Sequence, residues 1–233
     1  MKITWLGHGA FQFVLPHEET LILDTWTDGN PAYPKDFEIT RCDTILVSHG
    51  HFDHIHDVIP LAKKFHPQIV AIYETCHWLT KKGVENCSGM NKGGSQKVGS
   101  VTVTMTHAVH SCGILEDDGS IVYGGEAAGY VLTFEDGGVI YFSGDTNVFS
   151  DMALIAEIYK PELAFIPIGD LFTMSPREAA VACRLLKAKT VVPMHFGTFP
   201  PLTGRPNKLQ ELVPDVKIWE LTPGKTVDWD TRS

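Results

Sequence analysis

Three imidazoles and a carboxylate fall within six residues in His49-Gly50-His51-Phe52-Asp53-His54. Each of these side chains carries polar atoms that need partners, and a bound cation satisfies several of them together. The stretch follows Thr44-Ile45-Leu46-Val47, an apolar run that reads as a buried strand. Histidines two apart at a strand end can converge on one ion. Asp53 and His54, in the next turn, can then face a second. Imidazole and carboxylate donors suit zinc and its first-row neighbours. A solvated His-rich loop is the plainer reading, but it gives no reason for the strand-end placement.

Other residues could join this chemistry, and each has a bland reading beside the functional one. His107 and His110 both follow the run over residues 101–106, so either could supply a third imidazole. Asp145 comes after Gly144 at the end of an apolar run, which by itself reads as a turn. His195 ends another apolar run and reads equally as a core histidine or a ligand. Asp24 ends residues 21–23 and either accepts a hydrogen bond from a ligating His or caps a turn. His56 reads as a solvated helix residue, and Cys112 as a small buried one. Phe172, Met174, Phe196 and Phe199 are candidate pocket walls, with core packing the simpler expectation for any one of them.

Positioning these groups requires strands that end where the ligands begin. Apolar or alternating runs predict strands over residues 2–6, 10–15, 20–24, 44–48, 69–73, 101–106, 128–134, 139–143, 163–168 and 190–194. Asp136-Gly137-Gly138 reads as the turn of a hairpin. Helices are predicted over 55–65, 75–82 with Gly83 as its stop, 151–159 ended by Pro161, and 176–187. The last opens on Ser175-Pro176-Arg177-Glu178, a capping box with proline at the first helical position. The pattern alone supports an α/β protein with a central sheet.

Composition narrows the function. The 233 residues suit one large α/β domain or two small ones, and no linker or low-complexity segment divides them. A net charge of -9 without a Lys/Arg cluster disfavours nucleic acid. No apolar run reaches membrane-span length, and Met1-Lys2 leads into a strand rather than a signal peptide. Five cysteines without C-x-x-C spacing read as free thiols, so the expected location is cytoplasmic. Gly-x-Ser-x-Gly is absent, which removes a common nucleophile-dependent hydrolase.

The H-x-H-x-D-H run resembles the signature of the metallo-β-lactamase superfamily, and further segments match it in order. These are residues 1–11, Leu21-Ile22-Leu23-Asp24, Asn91-Lys92-Gly93-Gly94, residues 106–111, Ser143-Gly144-Asp145-Thr146 and residues 193–200. The similar branch includes ascorbate-6-phosphate lactonase, N-acyl phosphatidylethanolamine phospholipase D and many bacterial metal-dependent hydrolases. The resemblance implies a single domain over residues 1–233 with the metallo-β-lactamase fold. That fold is an α/β four-layer αββα sandwich of two mixed sheets flanked by helices. It further implies two divalent ions, zinc first and manganese next, with iron, cobalt or nickel as substitutes. His49, His51 and His110 would hold one ion and Asp53, His54 and His195 the other, with Asp145 between them. The family pattern thus prefers His110 to His107.

The implied reaction is hydrolysis of a small ester, lactone or phosphodiester by a metal-bridged hydroxide oriented by Asp53. His8 and His107 are candidate proton donors, Asp24 supports a ligand, and Asn91 and Lys92 could meet an anion. A nuclease-like phosphodiesterase and a non-catalytic metal-binding protein are the other readings. A nuclease would bring a basic face or RNA-binding arm, and a redox di-iron relative a carboxylate in place of His51; neither is seen. The expected partner is a small-molecule substrate, and homo-oligomer formation through sheet edges is left open.

Overall fold

Runs of β-branched and aromatic residues broken by turn residues build most of the regular structure. A computed structural model describes residues 1–230. The first strands are β1 (Lys2–Gly7), β2 (Ala10–Val14), β3 (Thr20–Leu23), β4 (Thr44–Leu46), β5 (Gln68–Ile72), β6 (Cys87–Met90), β7 (Ser95–Val98) and β8 (Val101–His107). There follow β9 (Gly113–Leu115), β10 (Ile121–Tyr123), β11 (Ala128–Phe134), β12 (Val139–Phe142), β13 (Leu163–Pro167), β14 (Thr190–Met194), β15 (Lys217–Ile218) and β16 (Thr226–Asp228). The helices are α1 (Phe52–Ile55), α2 (Val58–Phe65), α3 (Tyr73–Lys81), α4 (Met152–Tyr159), α5 (Pro176–Leu186) and α6 (Pro206–Leu212). Among the described residues no helix is long and apolar enough to cross a membrane.

The chain forms two compact units. The first comprises residues 1–92, 111–127 and 222–230. Its sheet runs β16-β1-β2-β3-β4-β5-β6, antiparallel from β16 to β3 and parallel from β3 to β6. On α2 the apolar residues Val58, Leu61, Ala62 and Phe65 recur at helical spacing and turn toward Ile22, Ile45, Val47 and Ile69. A Val, Leu or Ile side chain among them contributes roughly 1.5–3 kcal/mol when fully buried. A two-stranded ribbon, β9 with β10, belongs to the same unit.

The second unit comprises residues 93–110 and 128–221. Its sheet runs β15-β14-β13-β12-β11-β8-β7, parallel from β15 to β12 and antiparallel beyond. Helix α5 begins as expected: Glu178 N–H reaches Ser175 Oγ, and Glu178 Oε2 accepts from Ser175 N–H at 2.9 Å. Ala179, Ala180, Ala182 and Cys183 give it a small-residue face buried with Ala164, Ile166 and Val191. The β11–β12 hairpin turns where expected, with Gly137 at φ +90°.

One expectation fails in detail. The helix predicted over 55–65 is broken into α1 and α2. Asp57 causes the break, because its groups serve another segment. Its N–H donates to Thr25 O, and its Oδ2 accepts from Thr27 N–H, Thr27 Oγ1 and Asp28 N–H.

Candidate metal centre

In the first unit the candidate ligand segment leaves β4, an inner strand of the sheet. His49 and His54 are fully buried there. Asp24, at the end of neighbouring β3, is fully buried beneath them and accepts three hydrogen bonds. They come from Ser48 N–H at 2.7 Å, Ser48 Oγ at 2.7 Å and His54 Nδ1 at 2.7 Å. Burial pushes the Asp24 carboxyl above its ordinary range, while His54 and the Ser48 donors pull it back. With Ser48 donating to Asp24, Ser48 Oγ accepts from His49 Nδ1 at 2.9 Å. One carboxylate thus orients two imidazoles and assigns the lone pair of each to Nε2.

His49 Nε2 lies 3.0 Å from His51 Nδ1, and His51 Nε2 lies 3.1 Å from Ser111 Oγ. Asp53 Oδ2 is 3.0 Å from His8 Nε2 and 3.9 Å from His54 Nε2. His8 is itself fully buried, with Trp26 packed edge-on to its ring at 5.3 Å. The backbone supports this crowding. His8 and Asp24 both take left-handed φ values, +54° and +53°, which non-glycine residues adopt at a cost. Gly9 has no room for a side chain, since a Cβ there would lie 2.7 Å from His54 Cε1.

In the second unit the candidate ligands stand on separate segments. Asp145 follows β12 and is buried, with Oδ2 2.9 Å from His195 Nε2 and 3.8 Å from His110 Nε2. Two backbone ties join the loops carrying His110 and Asp145: Val109 N–H to Thr146 Oγ1 at 2.9 Å, and Asn147 N–H to Val109 O at 3.0 Å. His195 follows β14 directly, is buried, and takes φ +55°. A Cβ on Gly169 would lie 2.0 Å from the His195 carbonyl oxygen, so only glycine allows that backbone approach.

A family profile described as the beta-lactamase superfamily domain matches residues 19–196. A UPF0173 metal-dependent hydrolase of Solibacter usitatus is 68% identical over 98% of this chain and 100% of its own length. One of Koribacter versatilis is 51% identical over 97% of each chain. The chain belongs to the UPF0173 metal-dependent hydrolases of the beta-lactamase superfamily. Among solved structures, Igni18, a metallo hydrolase of the archaeon Ignicoccus hospitalis, superposes with a TM-score of 0.85 at 31% identity. It covers 98% of both chains. The expected metallo-β-lactamase fold, with two mixed sheets and helices, follows.

The donor chemistry fits the divalent metal that this hydrolase family implies. Within the first unit, His8, Asp53 and His54 offer ligand atoms within 4.8 Å of one another, and so do Asp24, His49 and His54. The Asp24 bond to His54 Nδ1 leaves Nε2 available to a metal, an arrangement typical of metal-ligating histidines.

Several other residues stand apart from these clusters. His107 ends β8, exposed, with its ring edge-on to Phe149 at 5.3 Å. Asn91 is exposed, and Lys92 Nζ is engaged by Glu126 Oε2 at 2.7 Å. His56 is largely solvated and 3.1 Å from Asp57 Oδ1. Met174 is fully buried in the second unit's core, and Phe196, partly buried, packs against that core. Phe199 is half-buried, and Phe172 is exposed.

Sequence reasoning overlooked Ser48, Gly9, Gly169 and the role of Cys112. The Cys112 thiol is buried under the ligand loop. Its Sγ accepts from Gly50 N–H at 3.2 Å and donates to Gly124 O at 3.3 Å, which also accepts from Thr75 Oγ1. Only adjacency to the motif could have pointed to Ser48. The glycines and Cys112 become visible only through distant contacts.

Proposed function

We propose that this protein is a dinuclear metal-dependent hydrolase of small carboxylic esters or lactones, with residues 1–233 as one catalytic domain. In this reading His49, His51 and His110 hold one ion, Asp53, His54 and His195 a second, and Asp145 both. Zinc is the first choice and manganese the second. The observation that carries the proposal is the buried hydrogen-bond set in which Asp24 orients His54 directly and His49 through Ser48. So many buried polar groups serve ligand geometry better than stability, because each donor bonded to Asp24 needs that partner.

When bound, the divalent ions supply an acidified water and positive charge for a developing oxyanion. The chain's own residues then have distinct tasks. Asp53, held at Oδ2 by His8 Nε2, orients the incoming oxygen. His8 keeps a proton at Nε2 facing Asp53, from where it can serve the leaving group. Asp24 and Ser48 prevent His49 and His54 from rotating.

An uncharged carbonyl substrate is favoured over a phosphodiester by one contact. The cation of the 91–94 loop, Lys92, has its charge offset by Glu126 Oε2 at 2.7 Å, which weakens its attraction for a phosphate. The net charge of -9 also disfavours polyanions. Five free cysteines suit a reducing cytoplasm.

The test is a hydrolysis screen of metal-loaded protein against lactones, p-nitrophenyl esters, aryl phosphodiesters, aryl phosphates and β-lactams, with elemental analysis of the same sample. We expect ester or lactone turnover and two ions per chain. Chelation should stop turnover, and added metal should restore it, without loss of the circular dichroism signal, because the cores are apolar. Turnover confined to phosphodiesters would select the alternative chemistry, and no bound metal would end the proposal.

A further inference from the structure

Strands β12, β13 and β14 of the second unit are parallel neighbours, so their C-terminal ends lie side by side. Loops at the C-terminal ends of parallel strands are where open α/β sheets place their ligand-handling residues. Asp145 follows β12 on this rim and His195 follows β14. The segment between them, Gly169-Asp170-Leu171-Phe172 after β13, carries Phe172, a pocket-wall candidate from its sequence, next to Leu171.

This segment is held rigidly. Gly169 abuts the His195 carbonyl, and its own carbonyl accepts from Gly204 N–H at 3.2 Å. Asp170 closes the turn: its N–H donates to Met174 O at 3.0 Å and its Oδ1 accepts from Leu171 N–H at 2.8 Å. Met174 anchors the far end in the core. Between these anchors Asp170 and Leu171 both take left-handed φ, +70° and +51°. Leucine is strained in that conformation, having no short polar side chain to compensate. The strained turn nonetheless leaves Leu171 62% and Phe172 56% exposed. Two large apolar side chains, fixed at a cost and presented to solvent on the loop whose Gly169 abuts the His195 carbonyl, point to a ligand surface.

We propose that Leu171 and Phe172 are specificity-determining residues, an apolar wall on the ligand rim that receives the hydrocarbon side of the substrate. The inference rests on the ester or lactone reading for the bond cleaved, but the wall itself concerns only what flanks that bond. It assigns the substrate class as carboxylic esters or lactones with an alkyl or aryl substituent.

The test uses the full-length, metal-loaded protein, Phe172→Ala, Leu171→Asn and the double variant. Asparagine tolerates left-handed φ better than leucine, so Leu171→Asn should melt no lower than wild type. Two series are measured: kcat/KM for p-nitrophenyl acetate through octanoate, and Kd for acetate through octanoate by titration calorimetry. In wild type both should improve with chain length, by up to about fourfold per methylene. In the double variant the gain should fall below about 1.5-fold per methylene. Equal slopes in wild type and variant, or no slope in wild type, would overturn the wall. If wild type hydrolyses no ester while the carboxylate slope is present and lost in the double variant, the ester reading falls and the wall stands. Slopes unchanged while the variants alone become monomeric in sedimentation would overturn it in favour of a contact between copies.

Discussion

The two units place their candidate ligands by opposite strategies. In the first, four of them sit in one six-residue stretch that follows β4 and runs into α1, and a single buried carboxylate, Asp24, orients the imidazoles of His49 and His54. In the second, His110, Asp145 and His195 come from three separate segments, and backbone contacts do the positioning. These are the ties between the 109 and 146–147 segments and the approach of Gly169 to His195. A clustered set can be held by side-chain hydrogen bonds because its members share one short segment. A dispersed set depends on how closely neighbouring strand ends approach.

The largest effects should come from removing a ligand of either kind. His51→Ala and Asp145→Ala should each lower bound metal and abolish hydrolysis, while His77→Ala, an exposed residue stacked on Tyr73, changes neither. Full metal occupancy in both ligand variants, by elemental analysis, would refute the assignment in both units at once.

Next is the carboxylate that distinguishes the first unit. Asp24→Ala leaves Ser48 and His54 donors buried without their acceptor, and should cost about 3–5 kcal/mol in denaturant unfolding. Metal affinity should drop about 10- to 100-fold. Wild-type affinity in this variant would show that Asp24 only stabilises the fold.

The two glycines sharpen the contrast. Gly169→Ala drives a methyl group against a backbone carbonyl, which cannot swing aside, and should cost about 3 kcal/mol. Gly9→Ala meets the His54 ring, which can tilt at the expense of its Asp24 bond, so about 1 kcal/mol is expected with weakened metal binding. A larger unfolding penalty for Gly9→Ala than for Gly169→Ala would reverse the argument that the second unit depends on backbone fit.

The smallest effect should be at His107. Exposed and packed edge-on to Phe149, it should tolerate alanine within about 0.5 kcal/mol and with unchanged metal content. Loss of metal in His107→Ala, with His110→Ala retaining it, would exchange the two roles.

Legibility from the chain alone followed the same division. The loop at 49–54 declared itself through residue type and spacing, since four polar donors crowded after an apolar strand are hard to satisfy without a shared cation. The buried strands β1 to β5, β8 and β11 to β14 were readable because hydrophobic period tracks burial. By contrast β6, β7, β15 and β16, the edges of the two sheets, carry short polar stretches whose pairing comes from a neighbour's backbone, and they went unseen. Local composition could identify His195 only as a histidine after a strand. Its left-handed backbone, its 2.9 Å approach to Asp145 and its contact with Gly169 depend on residues 26 to 50 positions away. Local sequence determines which segments become strands and which loop is rich in donors. Only tertiary structure decides which distant carboxylate and which glycine meet a given histidine, because hydrogen bonds and steric fit are set by distances in space.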